Sequence, residues 1–372
     1  MINRLRLVTI LLILVFLSTG CWDVEEVNRR ALPNVLFLDI GQTDKVQMGI
    51  DLHVPGTLQP PVNTMEQQFE KNHGILYTEG RGLLEAWSKL QTNVSRHVFF
   101  GQLRAIIISE QFAKQDLEDS LDFIGRIPFI PSDASMLVTK EDIQSLVDLK
   151  NNSNFIPGNY IAQYFQSFYK KSLAKPIYVW EVFARIDNKT ADPYFPIIST
   201  NQGNYVISGL ALFSETRMVG ELNQQETYAF SILDGGSIGY FTVPLEDKKH
   251  LAFLQMRGKS KIVPRYNGED NIVFEIEIKA EGMVAEINPY QGQLTLKDKK
   301  KFDEAAANYI QQEVEKLLQK LTQLNTDPVG FGEKFRGKYP DLWEKTDWEK
   351  VYPNTKFIVK TKFNTRKTGL FR

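Results

Sequence analysis

The first twenty-one residues constrain this chain more than any other segment. Arg4 and Arg6 give it a positive start, residues 7–17 are dominated by aliphatic side chains, and residues 18–20 are small and polar. These three zones are typical of an export signal, because the apolar run is too short to cross the hydrocarbon core of a bilayer. We therefore predict that residues 1–20 are a cleaved signal peptide.

Cys21 follows the small residues directly and is the only cysteine in the 372 residues. A lone thiol at a signal cleavage site is typical of a bacterial lipoprotein, in which the cysteine receives diacylglycerol. The usual lipobox has Leu three positions earlier, whereas here Ser18 stands there and Leu17 lies one position further back. We predict lipidation at Cys21. The alternatives are an uncleaved N-terminal anchor and a free buried thiol.

Composition excludes several classes of protein. Export without a second cysteine excludes a disulfide framework and a thiolate metal site. The net charge of −1 becomes −3 without Arg4 and Arg6, since residues 1–20 contain no acid. A nearly neutral chain without a strong basic stripe argues against nucleic acid as a partner. No later segment has the length of a membrane helix, so attachment would rest on the two acyl chains of the diacylglycerol.

Helices and strands alternate in the first half, which predicts an α/β layer with a parallel or mixed sheet. The expected elements are a hairpin of strands at 35–40 and 46–54, a helix with Leu83, Leu84, Trp87 and Leu90 on one face, a strand at 105–108 buried on both faces, a helix at 116–124, a strand at 135–139, a helix at 141–149 and an aromatic core helix at 159–171. Residues 58–63, with two prolines, are expected to form a loop.

The second half favours an α+β arrangement. We expect a hairpin at 205–213 and 217–220, a helix carrying Leu222, Thr227, Phe230 and Leu233, strands at 251–263 and 272–280, an amphipathic helix at 299–324 and a last strand at 356–363. The predicted domains are an N-terminal α/β region (21–200), a middle β-rich region with a helix (201–268), either separate or part of the C-terminal region, and a C-terminal α+β domain (269–372). The predicted fold is therefore α/β to α+β, with two or three domains and mixed sheets.

Few patterns point to chemistry. The four histidines, at 53, 73, 97 and 250, are not spaced as metal ligands. Residues 235–239 fit G-x-S-x-G around Ser237, but the pattern follows an expected helix and runs into an expected strand, whereas a nucleophile elbow needs the opposite order. Walker, Rossmann and EF-hand patterns are missing from the sequence. We predict no enzyme, no cofactor and no metal site.

Several motifs together resemble one family. The run Gly20-Cys21-Trp22-Asp23, followed by Glu26 and Asn28, resembles the mature start of the Ger(x)C spore germination lipoproteins. Further matching positions are Gly209, Leu210, Ala211, Leu212 and Phe213, then Val219, Gly220, Glu221 and Leu222, then Glu226 and Thr227, and finally Gly332, Phe335, Pro340, Trp343, Trp348, Thr368 and Gly369. The resemblance extends over nearly the whole chain.

The resemblance implies the C subunit of a nutrient germinant receptor, which works with an A subunit and a multispan B subunit in the spore inner membrane. It implies a three-domain α/β fold without catalytic or ligand residues, and it carries over only Cys21, as the acylation site. The alternative is a membrane-anchored nutrient-binding protein, with Trp87, Tyr160, Phe165 and Trp180 lining a cavity. A surface hydrolase using Ser237 is a third hypothesis. Whether this chain binds nutrient stays open.

Overall fold

A computed structural model describes residue 6 and residues 29–53, 73–147, 157–167, 173–245, 249–268, 271–288 and 296–366. The predicted lipidation site Cys21, the motif around it, the loop predicted at 58–63 and the Thr368-Gly369 pair lie outside these residues. Among the described helices, none is both long and apolar enough to cross a membrane.

An eight-stranded sheet forms the first half of the molecule. Its strands are β2 (Val35–Ile40), β3 (Val46–His53), β4 (His73–Gly80), β6 (Ala105–Ser109), β7 (Ser135–Thr139), β8 (Tyr194–Asn201), β9 (Asn204–Ser214) and β10 (Arg217–Leu222), in the order β10-β9-β8-β7-β6-β2-β3-β4. The four central strands are parallel, and both edges are antiparallel. The short strands β1 (Arg30–Ala31) and β5 (His97–Val98) form a separate parallel pair.

Helices cover both faces of this sheet. They are α1 (Leu83–Asn93), α2 (Glu110–Ala113), α3 (Glu118–Arg126), α4 (Ile143–Val147), α5 (Pro157–Gln166) and α6 (Val179–Asn188). Successive residues of β6 belong to different cores: Ile106 and Ile108 to the larger, Ala105 and Ile107 to the smaller. This confirms the predicted strand buried on both faces, because side chains alternate along a strand.

One predicted helix face is partly wrong. In α1 the buried residues are Leu83, Ala86 and Leu90, whereas Leu84 is 63% exposed. Positions spaced three and four apart share a helix face, and residue 84 lies beside the face that residues 83, 86 and 90 define.

A second sheet of four strands lies in the C-terminal half. Its strands are β11 (Ser237–Pro244), β12 (His250–Tyr266), β13 (Ile272–Asn288) and β14 (Lys356–Thr365), in chain order across the sheet. The helices are α7 (Gln224–Leu233), α8 (Leu296–Gln323), α9 (Phe331–Lys338), α10 (Pro340–Trp343) and α11 (Trp348–Val351). Leu222, predicted to belong to α7, is instead the last residue of β10, because Asn223 caps the helix and begins it one residue later. Strands β13 and β14 are parallel, and the connection between them contains the long helix α8.

The fold class is confirmed: mixed sheets, packed helices and a long amphipathic helix near the C-terminus. The domain boundary predicted between residues 200 and 201 falls at the β8–β9 hairpin, inside one sheet. The domain boundary predicted between residues 268 and 269 falls between β12 and β13, which pair with each other in the second sheet. The division into domains stays a prediction.

Candidate functional site

A buried cluster of polar groups joins the first half of the chain to the segment after α8. The Asp327 carboxylate accepts hydrogen bonds from three backbone N–H groups, those of Gly330 at 2.8 Å, Phe331 at 2.9 Å and Gly332 at 2.8 Å. Asp192, between α6 and β8, accepts from the backbone N–H of Asp327 at 2.7 Å through Oδ2. We call the contacts around these two aspartates the junction.

Asp192 also reaches a third segment, because its Oδ1 accepts from the backbone N–H of Glu215 at 2.8 Å. Arg185 of α6 closes the junction from the other side, donating through Nη1 to the backbone oxygens of Asp192 at 3.1 Å and Pro328 at 3.0 Å. Its guanidinium also lies 4.9 Å from the centre of the Tyr194 ring. The junction therefore ties α6, the β9–β10 turn and the residues after α8 together.

Burial changes the acidity of both aspartates. Burial raises the pKa of Asp327 to about 7, against the opposing effect of its backbone hydrogen bonds, and the nearby Asp192 carboxylate raises it further. Burial also raises the pKa of Asp192, although the backbone N–H groups and Arg185 favour its charged form. Two carboxylates in one buried site disfavour double ionisation.

A third buried acid lies in the larger sheet. Asp51 of β3 accepts from the backbone N–H groups of Asn34 at 2.8 Å and Val35 at 2.7 Å through Oδ1. Its Oδ2 has no hydrogen-bond partner among the described residues. Burial raises the pKa of this carboxyl to about 7, and the two N–H groups oppose that change.

A groove of about 390 Å³ separates β12 from α9. Its walls are Ile262, Val263, Pro264, Glu333, Lys334, Gly337 and Lys338. Lys338 crosses it, with Nζ donating to the backbone oxygen of Pro264 at 2.9 Å. These residues supply two ammonium groups and one carboxylate, and no side chain among them is a nucleophile paired with a base.

The structure places Ser237 as the sequence predicted. Helix α7 ends at Leu233, Gly235 and Gly236 form the turn, and β11 begins at Ser237. The order is helix, turn, strand, which is the reverse of a nucleophile elbow. Gly235 and Gly236 therefore terminate a helix, whereas Gly239 lies in β11.

The histidines are dispersed. His97 is exposed, and His250 Nε2 lies 3.1 Å from Glu286 Oε1. In the part of the chain that the structure describes, no three His, Cys, Asp or Glu side chains are placed to hold a metal ion. The side chains of His53 and His73 lie outside that part, so the absence of a metal site or cofactor stays a prediction.

The four aromatic residues of the alternative hypothesis do not meet. Trp87 packs against Phe100, Phe123 and Phe129 in the larger core. Tyr160 and Phe165 lie in the smaller core on the opposite face of the sheet, and Trp180 is 55% exposed. The aromatic stripe of α5 is confirmed as core packing.

The residues that match known protein families extend over nearly the same part of the chain as the motifs. Residues 23–200 match the family described as "Spore germination protein N-terminal domain", and residues 208–369 match "Spore germination B3/ GerAC like, C-terminal". This chain belongs to the Ger(x)C family of spore germination proteins.

Individual relatives also match this chain over most of its length. Spore germination protein KC of Bacillus subtilis (strain 168) is 23% identical over 100% of this chain and 97% of its own. Spore germination protein GerQC of Bacillus cereus is 22% identical over 80% of this chain and 83% of its own. The crystal structure of the GerBC protein superposes with a TM-score of 0.57 at 17% identity, covering 89% of this chain and 96% of that one, which shows a shared fold.

Several of the family motif residues have structural roles. Gly209 has φ +85°, and a Cβ there would lie 2.6 Å from the backbone oxygen of Leu222. Glu226 completes a capping box with Asn223 at the start of α7. A Cβ on Gly332 would lie 2.8 Å from the backbone oxygen of Thr190. These positions are therefore restricted by close packing and helix capping.

Sequence reasoning missed the junction aspartates. Each immediately precedes a proline, in Asp192-Pro193 and Asp327-Pro328. Asp-Pro steps favour turn initiation, because the side chain can accept hydrogen bonds from the following backbone and proline cannot continue a helix. Asp327 does accept from N–H groups three to five residues later. The pair of Asp-Pro steps was the available signal.

Proposed function

We propose that this protein is the lipid-anchored C subunit of a nutrient germinant receptor at the outer surface of the spore inner membrane. The family match over both halves, residues 23–200 and 208–369, carries the proposal. Cys21, at the end of an export signal, supplies the attachment through diacylglycerol. The subunit is required for nutrient-triggered germination and works with A and B subunits.

Its role in the complex is interaction without catalysis. The polar side chains of the junction support this view, since Asp192 and Arg185 bond to backbone groups of distant segments and Asp327 bonds to the N–H groups of its own turn, and all three thereby hold the fold. Ser237 follows a helix and a turn, so the local backbone does not have the form that presents a nucleophilic serine.

Replacing Cys21 by Ala tests the anchor. The protein should move from the spore membrane fraction to the soluble fraction, because the acyl chains have no other attachment site, and the nutrient response that depends on it should be lost. Ser237→Ala is the matched control, and spores carrying it should germinate normally. A normal response from a fully released Cys21→Ala protein would refute the proposed role of the anchor.

Partner binding requires a separate experiment. An affinity-tagged chain, solubilised from spore membranes in mild detergent, should bring down the A and B subunits in fixed proportion. The same purification with an unrelated tagged lipoprotein serves as the control. Recovery of the anchored chain without either subunit would contradict the receptor assignment.

A further inference from the structure

The outer face of the C-terminal sheet carries a concentration of positive charge. Alternate residues of β12 point outward, and four of them are the exposed cations Arg257, Lys259, Lys261 and Arg265. The residues between them include Gly258 and Pro264, which are buried on the inner face. This alternation follows from the period of two along a strand.

The neighbouring strands continue the same face in register. Lys259 lies opposite Lys279 of β13, which lies opposite Lys362 of β14. One step along the strands, Lys261 and Lys360 flank Glu277. The remaining members of the face are Arg257, Glu281 and Asn364, then Val263, Glu275 and Ile358, then Arg265, Val273 and Lys356. We call these fifteen residues the cationic face.

Charge on the cationic face is strongly unbalanced. It carries eight Lys and Arg and three Glu, an excess of five positive charges in a chain whose total net charge is −1. Two of the cations form ion pairs within the face, Arg265 with Glu275 at 3.1 Å and Lys279 with Glu277 at 3.5 Å. Glu281 is paired with Arg366, at 3.5 Å.

The other six cations have no ion pair among the described residues, namely Arg257, Lys259, Lys261, Lys356, Lys360 and Lys362. Five of them are lysines, whose long side chains rotate freely and present a compact charge. Like charges on adjacent strands are unfavourable in the free protein, because they repel at cross-strand distance. An anionic partner relieves that repulsion.

The shape of the cationic face suits an extended partner. It spans nine residues along β12, roughly 26 Å at the usual rise of a strand, and three strands across. Ile358, 48% exposed, lies among the charges. Charges spread evenly over a sheet match a plane of negative groups better than they match a single concave binding site.

We propose that the cationic face docks on a membrane surface rich in anionic lipid headgroups. The observation behind it is the charge complementarity between unpaired lysines on a sheet and a negatively charged bilayer surface, which attracts basic segments within about a Debye length. The inference builds on the proposed function, in which the two acyl chains of a diacylglycerol on Cys21 bring the protein to a membrane. The cationic face would then set the orientation of the protein on that membrane.

The test uses the full-length chain carrying Cys21→Ala, so that acylation contributes nothing. One variant replaces Lys259, Lys261, Lys360 and Lys362 by Gln, and a matched control replaces the exposed Lys300, Lys301, Lys316 and Lys345 by Gln. Both lose four positive charges and both keep residues 1–20. Binding is measured by co-sedimentation with phosphatidylcholine vesicles, with and without phosphatidylglycerol, and unfolding curves confirm that both variants fold.

Binding to the phosphatidylglycerol vesicles should weaken at least about tenfold in the cationic-face variant and change little in the control, because each lysine near the surface adds separately to the attraction. Equal binding by the two variants, or binding independent of phosphatidylglycerol, would overturn the proposal. So would a face-dependent affinity for soluble polyglutamate without one for vesicles, which would indicate an acidic protein segment. None of these outcomes bears on the anchor, since Cys21 is replaced throughout.

Discussion

At the scale of single residues, the buried aspartate Asp327 accepts hydrogen bonds from three backbone N–H groups. Its replacement by Ala leaves the buried N–H groups of Phe331 and Gly332 without an acceptor, and Gly330 keeps only a long bond of 3.4 Å to the backbone oxygen of residue 327. Each unsatisfied buried donor costs about 1–3 kcal/mol, so we expect the free energy of unfolding to fall by about 2 kcal/mol or more. Asp187→Ala, at an exposed position in α6, should change it by less than about 0.5 kcal/mol. Denaturant unfolding measures the free energy of unfolding of both variants. Equally small effects of the two substitutions would contradict the structural role of the junction.

Asp51 allows a test by pH. Its pKa is raised to about 7 in the folded protein from 3.8. The folded state therefore holds a proton that the unfolded state releases, and the contribution of the neutral acid is complete below about pH 4 and lost as the pH rises through 7. Asp51→Asn retains an acceptor at Oδ1 and does not titrate. Between pH 4 and 7, unfolding free energies of this variant should decline less steeply than those of the parent protein, and parallel profiles would show that Asp51 is charged in the fold.

The structural roles of the motif residues explain why the family was easier to predict from the sequence than the functional site. Gly209, Glu226 and Gly332 are restricted by a left-handed backbone, a capping box and a close backbone contact. Such requirements act on one residue at a time and can be read along the sequence. The junction instead joins Asp192 to Asp327, 135 positions apart, so nothing local shows that they meet.

At the scale of elements, helix α8 follows its sequence closely. The predicted helix 299–324 is observed at Leu296–Gln323, and Ala306, Ile310, Val314, Leu317 and Leu321 are all buried. Leu317→Ala should lower the free energy of unfolding by about 2–5 kcal/mol, through lost burial and the cavity that remains. Gln319→Ala, on the exposed side of the same helix, is the control and should have little effect. A loss below about 1 kcal/mol at Leu317 would mean that α8 is not packed as described.

Physical reasons explain why sequence analysis missed some of the elements. Strand β8 contains Pro196, which is unusual within a strand, and its pairing with β7 involves only Ile197 and Ile198, after the proline. Helices α9 to α11 have at most eight residues, too few to show a clear period. The cationic face was also missed, because its charges alternate with apolar residues along β12 and β14 and cancel in the total charge. Counting charge on each strand face separately would have found it.

At the scale of the whole molecule, one core crosses the predicted domain limits. The larger hydrophobic cluster includes Leu36 of β2, Leu212 of β9, Phe274 of β13 and Leu317 of α8. The junction adds hydrogen bonds between the same parts of the chain, and Thr326 Oγ1 donates to the backbone oxygen of Phe213 at 2.5 Å. A continuous core makes the opening of one sheet costly for the other, so the regions should unfold together.

Native-state hydrogen exchange of the parent protein and Leu317→Ala tests this coupling. In a single cooperative unit, the slowest amides of β6 and β13 exchange only by global unfolding and report the same free energy. Leu317 packs in the C-terminal half, so its truncation should lower protection in β13 and, by the same amount, in β6. Gln319→Ala should leave both unchanged. If the sheets were independent, β13 alone would lose protection. An equal loss of protection in β6 and β13 would mean that the two sheets share one folding equilibrium. A change in the stability of the C-terminal sheet, such as one caused by membrane docking of the cationic face, would then also change the stability of the first sheet.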